Sequence, residues 1–316
     1  MTHTATAGLG ERKTGLPPRK RSKEMERMKI GLVGLGRMGD GLRQRLRRHG
    51  HEVVGFDHNP DVTDVSSLDE MVAALPSPRV VWVMVPAGEI TEQVVRDVSA
   101  LLGPADILID GGNSNYRDSI RRAVAASEHD IRYLDIGTSG GVWGLENGFC
   151  LMVGGDADAF AAVRPVLADL APPGGLAHVG GSGAGHFSKM VHNGIEYGMM
   201  QSIAEGFDLL QATDFEYDLE QLANLWNHSS VIRSWLIELA ADAFSKDPTL
   251  GGLRAYVDDS GEGRWTVLEG VERGVDVSVL AQALFKRFAS REENSFGLRV
   301  LAALRQEFGG HAVKTT

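Results

Sequence analysis

A glycine-rich turn directly after an apolar run is the feature that most constrains this fold. The run "KIGLVG" (29–34) leads into Gly34-x-Gly36-x-x-Gly39, and the residues that follow are helix-like. In a strand–turn–helix unit of this kind, the first glycine forms the tight turn, the second lets the backbone approach a pyrophosphate, and the third allows close helix–strand packing. The free N–H groups at the start of the helix bind phosphate. The sequence therefore predicts a dinucleotide-binding unit here.

Short runs rich in Val, Ile and Leu alternate with helix-like stretches from Met28 to about Val179. This alternation is typical of a parallel sheet with right-handed crossovers and helices on both faces. The predicted strands are 29–34, 51–57, 79–86, 106–112, 131–137, 149–155 and 175–181. The predicted helices between them are 38–49, 88–101, 115–128 and 157–170. We therefore expect a Rossmann-like, doubly wound α/β sheet.

The pattern becomes helical after "GGSGAG" (180–185), and strand signals are few from there on. Helices are predicted at 184–212, 218–228, 231–243, 263–273, 276–290 and 294–307. The first would be about 42 Å long, which suits a helix that joins two domains. The expected division is a disordered basic extension (1–27), a dinucleotide-binding domain (28–182), and an all-α substrate-binding and dimerisation domain (183–316).

Bulk properties argue against nucleic-acid and membrane partners. The net charge is −10, which opposes binding to a polyanion. No apolar run approaches the roughly 20 residues that span a bilayer. Cys150 is the single cysteine, so no intramolecular disulfide can form, and a cytoplasmic location is expected. Residues 1–27 are basic and poor in large apolar side chains, which predicts a disordered extension or an upstream start before Met28.

An acidic residue at the end of the second predicted strand suits the cofactor's ribose. Asp57 can accept hydrogen bonds from ribose hydroxyls and repel a 2′-phosphate, and no Arg follows it in "FDHNPD". This favours NAD, with NADP as the alternative; Asp57 could instead only cap the next turn. The predicted cofactor-binding residues are Gly34, Leu35, Gly36, Arg37, Met38, Gly39, Asp57, Val85, Pro86, Ala87 and Asn113.

Further polar groups follow the third, fourth and fifth strands, at the edge where an open α/β sheet binds its ligands. The third strand is followed by the Ala87-Gly88 backbone turn, expected to face the nicotinamide, and the other two by Asn113, Ser114, Ser139, Gly140 and Gly141. Amide, hydroxyl and glycine N–H donors suit a carboxylated, hydroxylated substrate. Taken singly, a Gly-Gly pair is equally an ordinary turn.

The long predicted helix carries a polar stripe among apolar neighbours. Lys189, His192, Asn193 and Glu196 lie at i, i+3, i+4 and i+7, so they share one face. A charged stripe is usually a solvated face. This one follows a glycine-rich bend at the sheet edge and has apolar flanks, which favours a functional site. Partial burial would depress the pKa of Lys189 and make it a base.

These motifs resemble the decarboxylating 6-phosphogluconate dehydrogenases, in the short, often NAD-linked branch of the β-hydroxyacid dehydrogenase superfamily. The matching segments are "GLGRMG", "MVPAG", "IDGGNSNY", "GTSGGVWGLENGFCLMVGG", "GAGHFSKMVHNGIEYGMMQSIAEGFDLL", "VIRSWL", "SGEGRWT" and "FGGHAV". They extend from about Met28 to Val313. The block "KMVHNGIEY" is the most specific, because the glycine fingerprint is shared with many dehydrogenases.

The resemblance implies a reaction and a set of roles. The reaction is oxidative decarboxylation of 6-phospho-D-gluconate to ribulose 5-phosphate and CO2, with hydride transfer to NAD(P). Lys189 matches the general base at the C3 hydroxyl, and Glu196 matches the general acid that protonates C1 of the product. His192 and Asn193 match groups at the same catalytic centre. The substrate-binding residues that it implies are Asn113, Ser139, Gly140, Gly141, His192, Asn193, Tyr197, Arg264, Thr266, Arg287, Arg305 and His311. Of these, Tyr197, Arg264, Thr266 and Arg287 match contacts to the phosphate.

The carboxyl-terminal segment "ALRQEFGGHAV" resembles one that reaches into the site of a partner subunit. Arg305 and His311 match the residues that do so, which implies a homodimer or a tetramer; otherwise the segment is a frayed terminus. Arg264 stands where longer relatives have lysine, and the chain lacks their second helical repeat. No metal is expected, because no His, Cys and Asp cluster has metal-ligand spacing.

Two other functions remain open from the sequence. One is a related β-hydroxyacid dehydrogenase that acts on a non-phosphorylated acid such as 3-hydroxyisobutyrate. The other is a non-catalytic NAD(P)-binding sensor. The Lys189 and Glu196 pair favours the decarboxylating enzyme over both.

Overall fold

Seven strands form one sheet in the order β2-β1-β3-β4-β5-β6-β7. The computed structural model describes residues 27–314, so the predicted extension 1–27 lies outside the described residues apart from Arg27. The strands are β1 (Lys29–Val33), β2 (Glu52–Phe56), β3 (Val80–Val83), β4 (Ile107–Asp110), β5 (Arg132–Ser139), β6 (Cys150–Gly155) and β7 (Leu176–Gly180). The helices of this part are α1 (Arg37–Arg48), α2 (Leu68–Ala73), α3 (Glu89–Ser99), α4 (Tyr116–Ser127), α5 (Gly144–Asn147) and α6 (Ala157–Leu170). All seven strands were predicted, as was the doubly wound architecture.

Strand β6 does not run parallel to its neighbour β5, although a parallel sheet was expected. Strands β1 to β5 are parallel, but β6 runs antiparallel to β5, with Ser139 opposite Cys150. The reason is the connection. Residues 140–149 hold only a 3₁₀ turn (Gly141–Trp143) and the one-turn helix α5, whereas a parallel pair needs a crossover of a dozen or more residues.

Helix α2 was not predicted, because its six residues are too few to show helical periodicity. A local signal was nevertheless present in "SSLDE". The Ser67 side chain accepts the backbone N–H of Glu70 (3.1 Å), and the Glu70 carboxylate accepts the backbone N–H of Ser66 (2.8 Å). This arrangement is close to a capping box, which marks a helix start.

The sheet is buried on both faces. Alternate residues of β3 point in opposite directions, so that Trp82 packs with α1 and α6 while Val81 and Val83 pack with α3 and α4. Both faces of a parallel strand must be apolar in such a sandwich, which explains the continuous apolar runs in the sequence.

Helix α7 (Ala184–Gln211) begins directly on strands β5 and β6. The Asp135 carboxylate, fully buried in β5, accepts the backbone N–H of Gly183 (2.7 Å) and of His186 (2.9 Å). A Cβ on Gly137 would lie 2.5 Å from the Cβ of Lys189. The first two turns of α7, and Lys189 with them, are therefore held against the sheet.

Five further helices complete the helical part, as predicted. They are α8 (Leu219–Asn227), α9 (Trp235–Lys246), α10 (Glu262–Arg273), α11 (Ser278–Ala289) and α12 (Phe296–Gly309). Helices α8 and α9 pack around Phe207 near the far end of α7, and α10 and α11 pack around its middle. Helix α9 starts later than predicted because Ser234 caps it, accepting the backbone N–H of Ile237 (3.2 Å). Among the described residues, no helix is long and apolar enough to cross a membrane.

Replacing Asp135 should destabilise the protein more than removing an ordinary helix cap. Asp135→Ala leaves two buried N–H groups at the start of α7 without an acceptor, so we expect a loss of about 2–4 kcal/mol in the free energy of unfolding. The control is Asp156→Ala, because Asp156 is exposed and caps α6 through one bond to the N–H of Ala159. Its expected cost is about 1 kcal/mol. Equal losses in urea unfolding would contradict this view of Asp135.

Candidate active site

A cavity of about 1870 Å³ lies between the carboxyl ends of the parallel strands and helix α7. Its wall contains the turn after β1, the segment after β3, the loop after β4, the 3₁₀ turn after β5, and one face of α7. The predicted residues on this wall are Gly36, Arg37, Met38, Gly39, Val85, Pro86, Ala87, Asn113, Ser139, Gly140, Gly141, Lys189, His192, Asn193 and Glu196. The fold therefore brings part of each predicted set, for cofactor and for substrate, to one cavity.

The three glycines of the first turn have different surroundings. Gly34 has φ +90, and a Cβ there would lie 2.3 Å from the Met84 carbonyl oxygen. A Cβ on Gly39 would lie 1.9 Å from the Gly34 carbonyl oxygen, whereas one on Gly36 would meet nothing within 4 Å. Gly34 and Gly39 are therefore needed to form the turn, while Gly36 leaves open space at the cavity wall.

Asp57 lies beside a second, smaller cavity of about 620 Å³. Its two carboxylate oxygens accept the backbone N–H groups of Leu35 (2.7 Å) and Asn59 (2.9 Å). Burial alone would raise the pKa of Asp57, but these bonds outweigh it and hold the pKa below its ordinary value. Asp57 therefore caps the local turns, as in the alternative interpretation, and also presents a negative charge to the cavity.

A buried charged network, which was not predicted from the sequence, supports the loop that carries Asn113. The Asp110 carboxylate accepts bonds from Arg122 (2.9 Å), Ser114 (2.8 Å) and the Tyr133 hydroxyl (2.9 Å). Asp110 and Arg122 are almost fully buried. Since a buried ion pair of this kind is costly to break from one side, it fixes the loop at the sheet edge.

The polar stripe of α7 faces the cavity and the sheet. Lys189 is only 6 % exposed, and Asn193 is also buried. Burial is the main cause that lowers the pKa of Lys189, although the negative charges of Glu196 and Glu262 oppose it. Of the apolar neighbours, Met190 is buried, whereas Ile195 and Met199 are exposed.

His192 connects the stripe to the loop after β5. Its Nδ1 lies 3.0 Å from Asn193 Oδ1, and its Nε2 lies 3.4 Å from Ser139 Oγ. Glu196 lies one turn further on, with its carboxylate 3.9 Å from His192 Nδ1 and its side chain 40 % exposed. The arrangement offers one buried amine and one accessible carboxylate on the same helical face.

The predicted phosphate-binding residues lie next to the cavity rather than on its wall. The Tyr197 hydroxyl accepts the backbone N–H of Ser260 (3.0 Å), and Ser260 lines the cavity. The Arg287 guanidinium stacks 3.5 Å from the centre of the Tyr197 ring. Arg264 binds both oxygens of Asp259, at 2.7 and 3.1 Å.

Three predicted residues are elsewhere in this chain. Thr266 does not reach the cavity: it is buried, and its hydroxyl donates to the Met190 carbonyl oxygen (2.8 Å) and so joins α10 to α7. Arg305 lies on α12 and His311 follows that helix; both are exposed, away from the cavity of their own chain.

Glu262 acts on Lys189 from outside the cavity wall, and it was not predicted as a site residue from the sequence. It is 1 % exposed, and burial raises its pKa to about 7 even though the positive charge of Lys189 opposes this. In the sequence, Glu262 is only a carboxylate just before a predicted helix; the structure shows that this helix packs on α7, which carries the polar stripe. The described residues contain no group of three or more His, Cys, Asp or Glu that could hold a metal ion.

Models of known protein families match both parts of the chain. The model for the NAD binding domain of 6-phosphogluconate dehydrogenase matches residues 29–180, and the model for the 6-phosphogluconate dehydrogenase C-terminal domain matches residues 185–313. A Bacillus subtilis protein named "Putative 6-phosphogluconate dehydrogenase YqeC" is 46% identical over 91% of this chain and 99% of its own length. A Haloferax volcanii protein named as an NAD(+)-dependent, decarboxylating 6-phosphogluconate dehydrogenase is 42% identical over 90% of this chain and 98% of its own.

A solved structure agrees with these matches. The Plasmodium falciparum 6-phosphogluconate dehydrogenase, determined alone, with NADP+ and with 6-phosphogluconate, has a TM-score of 0.77 and 28% identity. The similarity covers 91% of this chain and 66% of that longer one. An NAD-binding family model on the first part of the chain implies a nicotinamide dinucleotide cofactor. The chain belongs to the 6-phosphogluconate dehydrogenase family of oxidoreductases.

Proposed function

We propose that this protein oxidises and decarboxylates 6-phosphogluconate with NAD as the hydride acceptor. The observation that carries the proposal is the position of Lys189, buried in the wall of the same cavity that contains the open space at Gly36. Glu196 lies on the same face of α7 and is accessible. General acid–base catalysis requires a base and an acid with access to one substrate.

The oxidation step uses Lys189 as a base. In its neutral form, the amine accepts the proton of the C3 hydroxyl while the hydrogen on C3 leaves as hydride. A bound nicotinamide supplies the acceptor for that hydride. Burial lowers the pKa of Lys189, which increases the neutral fraction that this step needs. His192 and Asn193, which contact each other, are proposed to hold the substrate hydroxyls.

The decarboxylation step uses Lys189 as an acid. The 3-keto acid loses CO2 because its carbonyl group accepts the electron pair of the breaking carbon–carbon bond, and the Lys189 ammonium donates to the developing oxyanion. The enediol that remains then takes a proton from Glu196 at the carbon that becomes C1 of ribulose 5-phosphate, while its adjacent hydroxyl returns a proton to the Lys189 amine and becomes the ketone. Ser139, Gly140, Gly141 and Asn113 are proposed to hold the carboxylate and hydroxyls before this step.

The surroundings of Asp57 support NAD over NADP. The described residues that line the smaller cavity include Asp57, Asp64 and Glu70, and none of them is Lys or Arg. A 2′-phosphate would bring further negative charge next to these carboxylates, and the nearby Arg43 and Arg47 are already paired with Asp40 and Asp64. NADP remains the alternative cofactor, and the assay below compares the two.

We also propose that the active protein is a homodimer, or a tetramer of such dimers. Helix α12 has no buried residue within this chain, and its apolar Phe296, Leu301 and Phe308 are exposed. An exposed apolar helix face of this kind favours a protein partner. Arg305 on that helix and His311 after it are proposed to complete the phosphate site of the partner subunit.

The purified protein should form NADH and CO2 from 6-phosphogluconate and NAD+, and less readily with NADP+. Lys189→Ala should lower kcat by about a hundredfold or more, because the base and the later acid are both lost. The matched control is Lys246→Ala, which removes an exposed lysine at the end of α9. Turnover of a non-phosphorylated 3-hydroxy acid in place of 6-phosphogluconate would support the related dehydrogenase instead. Tight NAD binding without any turnover would support the sensor.

Gly36→Ala should weaken cofactor binding without unfolding the protein. The new methyl group meets no protein atom within 4 Å, so it enters the open space at the cavity wall. We expect the Kd for NAD to rise about tenfold or more, with stability unchanged to within about 0.5 kcal/mol. Gly39→Ala is the control that should destabilise the fold, since its Cβ clashes with the Gly34 carbonyl oxygen. Wild-type NAD affinity in Gly36→Ala would contradict the proposed pyrophosphate site.

Two inactive variants should restore activity when their subunits are mixed. Lys189→Ala lacks the base, and Arg305→Ala lacks the group offered to the partner. In a mixed dimer one of the two sites has both residues, so an equal mixture should recover about a quarter of wild-type activity after subunit exchange. No recovery, with mixed dimers shown by native mass spectrometry, would mean that Arg305 serves its own chain or neither.

A further inference from the structure

Glu262 is a buried carboxyl group whose Oε2 atom has no hydrogen-bond partner. It is the first residue of α10 and is 1 % exposed. The Thr266 hydroxyl bonds to the carbonyl oxygens of both Glu262 (3.0 Å) and Met190 (2.8 Å), which holds this turn of α10 against α7. An unpartnered buried carboxyl is costly, so its presence calls for a reason beyond packing.

The charges that act on the pKa of Glu262 are those of Lys189, which opposes the effect of burial, and Glu196, which adds to it. Both are on α7, the helix on which α10 packs, and Cys150 on β6 acts on Lys189 from the sheet. The other charged groups on the surrounding elements are engaged or exposed: Arg264 and Arg291 bind Asp259, Arg117 and Arg273 bind Glu269, Arg287 stacks on Tyr197, and Lys286 is exposed. Glu262 therefore interacts mainly with the catalytic pair.

Glu262 does not line the cavity, whereas Lys189 does. Among the described residues, Glu262 and Lys189 form no direct ion pair. Glu262 therefore acts on the pKa of Lys189 through space rather than through a shared hydrogen bond. We propose that Glu262 is a positioning residue that sets the protonation of Lys189, so that the same amine can serve first as base and then as acid. This inference rests on the proposed function.

The proposed reaction needs Lys189 in two states within one turnover. Burial favours the neutral amine, which suits the oxidation step, but a fully desolvated lysine would be too weak a base to take the proton of the C3 hydroxyl and keep it until the decarboxylation step. The charge on Glu262 stabilises the ammonium form. Burial also raises the pKa of Glu262 to about 7. The stabilisation therefore strengthens as the pH rises through this value and weakens as the pH falls below it.

The test is the pH dependence of kcat/KM in Glu262→Gln, which keeps the shape of the side chain and removes its charge. Without the carboxylate, Lys189 loses its proton more easily. The acid limb of the profile, where Lys189 must be neutral, should therefore move to lower pH by about half a unit or more. On that limb the variant should be about threefold faster relative to its own maximum than the wild type.

Two further variants separate tuning from mere packing. Glu262→Asp keeps a carboxyl group and should return the acid limb toward the wild-type position. Glu269→Gln is the matched control at the other end of α10: Glu269 is also buried, but it pairs with Arg117 and Arg273. That variant should lose stability while its acid limb stays in place. An unchanged limb in Glu262→Gln, or an equal shift in Glu269→Gln, would overturn the inference.

A substrate-free measurement checks the ionisation of Glu262 itself. A carboxyl group whose pKa is raised in the folded state contributes stability that is present below its unfolded pKa and is lost as pH rises through the folded value. The Tm of the wild type relative to Glu262→Gln should therefore fall as pH rises from about 4.5 to about 7. A constant difference would count against the inference. Wild-type inactivity on 6-phosphogluconate would instead sink the proposed function, so the two failures are distinguishable.

Discussion

The seating of α7 on strands β5 and β6 is the constraint on which the rest of the structure depends. Asp135 accepts the first N–H groups of the helix, and Gly137 allows the Cβ of Lys189 to approach the sheet. The stripe that follows, through Asn193 to Glu196, is thereby directed along the cavity wall. The same sheet edge carries the glycine turn after β1. This packing contact therefore brings a buried amine to the same cavity that several of the predicted cofactor-binding residues line.

Buried charges in this protein fall into two kinds. Asp110 and Arg122 bind each other and have further partners, so their charges are satisfied and they serve to hold a loop. Breaking such a pair from one side costs about 3–5 kcal/mol, which makes it rigid. Lys189 and Glu262 are also buried but are not bonded to each other, and burial shifts the pKa of each toward neutrality. Groups that gain or lose a proton near neutral pH are those that catalysis can use.

The sequence was sufficient for the architecture and for most of the cavity wall, because those features have local causes. Strands, helices and the turn at Gly34 follow from apolar runs, periodicity and glycine spacing. The stripe at Lys189 was recognisable because its residues are one helical turn apart. The antiparallel direction of β6 was not predicted, because it depends on the length of the connection from β5, and the short helices in that connection leave no periodic signal.

Long-range contacts explain what sequence reasoning missed. Thr266 was assigned to phosphate by resemblance, but its hydroxyl is used to join α10 to α7, which only the packing of two distant segments reveals. Glu262 was overlooked for the same reason, since a glutamate at a helix start is ordinarily exposed. The partners of Asp110 come from three different elements, and no spacing in the sequence links them.

The central claim is that folding makes Lys189 a base by desolvating its amine. The most direct measurement is an NMR titration of the protein labelled with ¹³C at the lysine ε-carbon, with Lys189→Arg to assign the signal among the eight lysines of the chain. Burial predicts that the Lys189 amine titrates below the ordinary lysine pKa of 10.5. A Lys189 signal that titrates at or above that value would contradict the claim.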